Sequence, residues 1–187
     1  GAAIVMGYDK ILAKNSENPY LFLHWQKILK ARCEGGQFSQ VQALLQKYPD
    51  SRYLRYDYAS RCYWTSKYDE SLKLCMKELM RDNNNEEFYG TAVGDLWEKD
   101  CHEEAIQLVQ TWTKLHPENP CAWLKLKDVY EDWAVEARGE VWEPQVSSSV
   151  RKVMVERATL GLKAVDEAAK LVPNDCRVWS KYMSLGN

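Results

Sequence analysis

The stretch EEFYGTAVGDLWEKDCHEEAIQLVQTWTKLHPEN, Glu86 to Asn119, decides the fold. In its second half Ala105, Leu108, Val109, Trp112 and Leu115 fall at helical spacing and make one apolar stripe, the mark of an amphipathic helix. Asp100-Cys101-His102 reads as a tight turn before that helix. Tyr89 places an aromatic early in the helix ahead of the turn. Pro117-Glu118-Asn119-Pro120 ends the second helix, because proline lacks the donor a helix interior needs and asparagine bonds to turn backbone. From Glu86 to Asn119 the chain is therefore one unit of helix, turn and helix.

The plan recurs outward along the chain. Gly36 to Val41, Ser66 to Ser71 and Asp100 to Ala105 each read as a turn, then a ring, then a smaller residue three positions on. The rings are Phe38, Tyr68 and His102, at nearly equal intervals. Breaks fall at Asn18-Pro19, Pro49-Asp50, Asn83-Asn84-Asn85 and Pro173-Asn174-Asp175. The interval from Asp50 to Asn84 equals that from Asn85 to Asn119. Further stripes run through Trp123, Leu126, Tyr130, Trp133, Ala134 and Ala137, and from Val150 to Val172. No alternating β-branched run predicts a strand. The expectation is an all-α chain of about nine to ten helices in antiparallel pairs. One helical-repeat domain over 1–187 would hold a half repeat at 1–17, units at 18–51, 52–85, 86–119 and 120–175, and a terminal helix at 176–187. Ile4, Tyr8, Ile11 and Leu12 mark the half repeat, so the chain reads as part of a longer array or as one capped by half repeats.

These residues resemble the tetratricopeptide repeat. Tyr89 stands at its early aromatic position, Ala105 at its small position and Pro117 at its closing proline. In 52–85, Ala59, Tyr68 and Ser71 keep register while Asn83 replaces the proline; in the shortened unit before it, Trp25, Phe38 and Val41 match. The resemblance implies a right-handed superhelical array of helix–turn–helix repeats, and it specifies fold rather than ligand.

The fourth unit departs from the period. Pro173 lies further beyond Pro117 than one repeat allows, and the excess is expected at about 139–149. Trp133, Ala134, Arg138, Gly139, Trp142, Leu171, Pro173 and Asp175 are similar to an uncharacterised bacterial domain family with an Ala-x-x-x-Arg-Gly insertion. That family has no established activity, so the likeness implies a bacterial source and no reaction. Arg138 is expected to tie the end of the long helix to the inserted loop, with Glu140 and Glu143 as partners and Trp142 over its stem. Gly139 would supply a left-handed turn.

Composition narrows the function. Lys and Arg number 25 against 27 Asp and Glu, and a net charge of −2 builds no strong field for nucleic acid or anionic membrane. No apolar run approaches the ~20 residues of a membrane helix. The six cysteines, Cys33, Cys62, Cys75, Cys101, Cys121 and Cys176, form no Cys-x-x-Cys pair, and His24, His102 and His116 have no metal spacing. They read as free thiols of a reducing compartment, so the expectation is a cytoplasmic chain with no metal or cofactor. Gly1 to Met6 lacks the basic region of a signal peptide. No catalytic set emerges: Cys101 and His102 are sequence neighbours, which rarely reach attack geometry.

There are 8 Trp and 11 Tyr but only 3 Phe, which suits half-buried helix faces and binding surfaces. By the resemblance, first helices line a concave groove. Its residues would include Lys30, Tyr53, Tyr56, Tyr63, Trp64, Trp97, Glu98, Asp128, Glu131 and Asp132, an aromatic middle with an acidic end. Such a surface fits a protein or peptide partner, with aromatics anchoring and acids selecting basic groups; about half of these residues would instead pack between repeats. One rival is an enzyme or enzyme-associated domain with Arg138 and Trp142 in a pocket. The other is RNA binding through Arg52, Arg55, Arg61 and Lys67 with Tyr53, Tyr56, Tyr58 and Tyr63 interleaved.

Overall fold

The computed structural model describes residues 37–47, 49–139 and 145–184. Every regular element among them is an α-helix: α1 Gln37–Lys47, α2 Arg52–Trp64, α3 Tyr68–Leu79, α4 Glu86–Glu98, α5 His102–Leu115, α6 Pro120–Arg138, α7 Ser148–Leu171 and α8 Cys176–Ser184. The half repeat at 1–17, His24, Trp25, Lys30 and Cys33 fall outside the described residues, as do Glu140, Trp142, Glu143 and the side chain of Tyr53. Two compact units are present, the first ending at Lys77 and the second beginning at Glu78.

Local chemistry repeats with the sequence period. The helices α2, α4 and α6 start from N-caps at Ser51, Asn85 and Asn119, which stand at equal intervals. Their side-chain oxygens accept from the N–H groups of Leu54 at 3.4 Å, Phe88 at 3.3 Å and Cys121 at 2.9 Å. Each satisfies a donor that the first helical turn leaves unpaired. Asp175 does the same before α8, accepting from the N–H of Arg177 at 2.8 Å. The turns inside the pairs match as well. Ser66 and Asp100 take left-handed φ values of 58° and 57°. Beside them the N–H of Lys67 reaches the carbonyl of Cys62 at 2.8 Å, and that of Cys101 the carbonyl of Leu96 at 2.9 Å. This closure lets the chain reverse while capping a helix-end carbonyl.

A third device lies at the entry to first helices. Trp123 Nε1 donates to the Pro117 carbonyl at 2.9 Å, Trp179 Nε1 to Pro173 at 2.8 Å, and Arg55 Nη1 to Pro49 at 2.7 Å. In each the donor stands six positions after the acceptor. Where the second helix crosses the first, the residues are small and buried: Ser71, Ala105 and Gly161. Ser71 also gives its hydroxyl to the carbonyl of Ala59 at 3.0 Å.

In the first unit Val41, Tyr58 and Cys62 are buried together, with Phe38, Leu45 and Leu74 packed on them. Tyr58 bonds through its hydroxyl to Glu70, which joins α2 to α3. In the second unit the Tyr89 and Trp112 rings stack at 4.3 Å, and Leu124, Val165, Ala168 and Val178 form a further cluster. Full burial of a valine such as Val165 contributes about 1.5–3 kcal/mol relative to exposure.

The extra length of the fourth unit is spread along its hairpin. The helix α6 has 19 residues against 13 in α4, and α7 has 24 against 14 in α5. The stripe of Trp133, Ala134 and Ala137 prolongs α6, and Val150, Val153 and Met154 begin α7, so the two helices run on past the repeat body. There Arg157 lies over the Trp133 ring at 3.6 Å and donates to the Trp133 carbonyl at 2.5 Å.

Candidate functional site

Three of the acidic residues expected in a groove, Asp128, Glu131 and Asp132, lie on α6, and the fourth, Glu98, on α4. Asp128, Asp132 and the exposed Val135 follow at helical spacing, with Glu131 beside them. Two lysines meet this face, one from α6 itself and one from α8. Lys127 is fully buried, and its ammonium bonds to Glu131 and stands 3.6 Å from Asp128. Lys181 of α8 donates to Asp128 at 2.6 Å. Asp132 is exposed by overall area, yet its carboxyl is crowded by neighbouring atoms. That crowding, then the charges of Asp128 and Glu131, pushes its pKa up, with Lys125 and Lys127 opposing. The face thus holds one acid engaged by another helix and one held at a cost.

Trp97 is half-buried, and its ring packs against His102 at 4.5 Å. The His102 Nδ1 lies 3.0 Å from Glu136, so Trp97 belongs to a contact joining α4, α5 and the far part of α6. Glu98 is exposed at the end of α4. In the first unit Tyr56 and Tyr63 are half-buried and Trp64 is 78% exposed. Tyr63 sets its ring edge to face with Trp64 at 5.2 Å and meets Tyr68 at 5.8 Å. This aromatic trio sits at the turn from α2 to α3.

The basic and tyrosine-rich surface is occupied internally. Arg61 pairs with Asp57 at 2.8 Å, Arg55 holds the Pro49 carbonyl, and the Lys67 ammonium stands over the Phe38 ring at 4.1 Å. Tyr58 is buried, and desolvation followed by its bond to Glu70 pushes its pKa well up.

Arg138 ends α6 with Nε buried and, among the described residues, without an acceptor. The loop residues expected to hold it fall outside the described residues. Gly139 has a positive φ of 62°, but its ψ of −149° lies outside the left-handed helical well; this is a region essentially restricted to glycine. The described surface depressions, at Val146 to Glu156 and at Lys163 to Lys170, are open to solvent.

Cys62 and Cys75 are buried, Cys101 and Cys121 are half-buried and Cys176 is exposed, all as free thiols. Burial and a bond to Glu86 push the Cys121 thiol up, with Arg177 opposing at 3.7 Å. Such a thiol stays protonated and is a poor nucleophile. Among the described residues no three His, Cys, Asp or Glu side chains gather to hold a metal ion, and no helix is long and apolar enough to cross a membrane.

Lys181, Arg157 and the His102–Glu136 pair were absent from the groove expected from sequence. Lys181 had a signal: it follows Lys125 by the same offset as Pro173 follows Pro117. It therefore occupies the same repeat position as Lys125, on the next first helix.

No family model matches the chain, and no curated protein matches it. Among solved structures it is similar to a thermophilic TPR protein of Thermus thermophilus, with 15% identity and a TM-score of 0.42, over 79% of this chain and 88% of that one.

Proposed function

We propose that the chain is a non-catalytic protein-interaction module of tetratricopeptide type, taking a protein or peptide segment that carries Lys or Arg. The observation behind this reading is the acidic face of α6, where Asp128, Glu131 and Asp132 lie at helical spacing, and where partial burial of the Asp132 carboxyl, then the charges of Asp128 and Glu131, push its pKa up. A cation from a partner offsets the two neighbouring negative charges. Lys181 already makes this kind of contact with Asp128, from another helix of the same chain. The exposed Val135 adds an apolar contact one turn beyond Asp132. On the first unit, Trp64 with Tyr63 and Tyr56 offers aromatic area for the same class of partner. Trp97 and Glu98 are assigned a smaller part, because Trp97 is engaged by His102. A cytoplasmic setting and a bacterial source belong to the same proposal, and rest on the scattered thiols and on the likeness around Arg138.

The test is a fluorescence titration with a labelled Lys/Arg-rich peptide and an acidic peptide of equal length. The basic peptide should bind, and binding should weaken with salt. Asp132→Asn should lower affinity about 2- to 5-fold, the effect of one partly exposed charge. Equal binding of the acidic control, or an unchanged affinity for Asp132→Asn, overturns the assignment to α6. Capture of partners from a lysate of the native host, by the wild type against Asp132→Asn, then identifies the physiological segment.

A further inference from the structure

We draw no further inference here: the strongest candidate, the exposed Trp179 face of α8, repeats the Trp123 surface that Val165, Ala168 and Val178 pack against, and nothing in the structure shows what covers it.

Discussion

Gly139 shows how one residue fixes the exit of a helix. With φ at 62° and ψ at −149° it occupies backbone space that a Cβ makes costly, although nothing lies within 4 Å of where that Cβ would stand. The strain is therefore purely local. Gly139→Ala should destabilise by about 1–3 kcal/mol in urea unfolding; an unchanged midpoint would mean that the turn relaxes freely. Asp100 is the opposite case, a side chain in a left-handed position that glycine fills at less cost. Asp100→Gly should gain roughly 0.5–1 kcal/mol. At Asp132 stability and the proposed binding can be read from one substitution. Its pKa is raised in the folded chain, so its contribution is fully present below the unfolded value near 4 and is lost as pH rises through the higher folded value. Asp132→Asn should thus stabilise at pH 7 by about 0.2–0.5 kcal/mol, the scale of one like-charge pair four residues apart on a helix, and the gain should fall by about half near pH 4 and vanish well below it. A gain in melting temperature together with weaker peptide binding is the pattern of a residue kept for binding; a loss of stability at pH 7 would count against it.

At the scale of elements, the boundaries legible in the sequence are those written in local chemistry. Asn85, Asn119, Pro117 and the turn before His102 act on backbone close to them in the chain, so a reader of the sequence can place α4, α5 and the start of α6 from them alone. The reach of α6 to Arg138 and the stripe of α7 from Val150 were legible as well, but the extra length itself was placed in the loop at about 139–149. Gly139 and the serines drew attention to the loop, whereas the added length is mostly helix, carried by stripes that continue the ones before them. Arg157 was missed because its partner Trp133 lies 24 residues away and on another helix. Arg157→Ala should cost about 1–3 kcal/mol through the lost carbonyl bond and ring contact, and Arg157→Lys should recover only part, since lysine lacks the flat fork. Gly161 gives a sharper check on the packing of this pair. A Cβ there would meet the Lys127 carbonyl at 3.5 Å and the Tyr130 Cβ at 3.6 Å, which is ordinary contact. Gly161→Ala should therefore stabilise by roughly 0.5–1 kcal/mol, as alanine does inside a helix. A loss instead would show that α6 and α7 pack more closely than these distances.

At the scale of the molecule, the site was legible only in part, and for a physical reason. The sequence shows which residues share a helix face, so Asp128, Glu131 and Asp132 could be grouped from spacing. It does not show which helix supplies the counter-charge, and Lys181 meets Asp128 only because the next first helix packs across 53 residues. Leu124, Val165, Ala168 and Val178, which hold the last helices together, all lie outside residues 133–157. The acidic face up to Asp132 also lies outside them. Replacing 133–157 by a copy of Lys99-Asp100-Cys101 would join Asp132 to Ala158 through the turn that already joins α4 to α5, and would restore the spacing of the regular units. The shortened chain should stay helical by circular dichroism and melt cooperatively, since repeat stability comes from contacts between neighbours. It should also bind the basic peptide within about twofold of the full chain, because no proposed contact except Val135 has been removed. A folded, shortened chain that no longer binds would move the site to the extension and favour the rival in which Arg138 lines a functional pocket. A shortened chain that fails to fold would show that Trp133 and Arg157 are part of the core; the same peptide titration on Arg138→Ala in the full-length chain then decides the site.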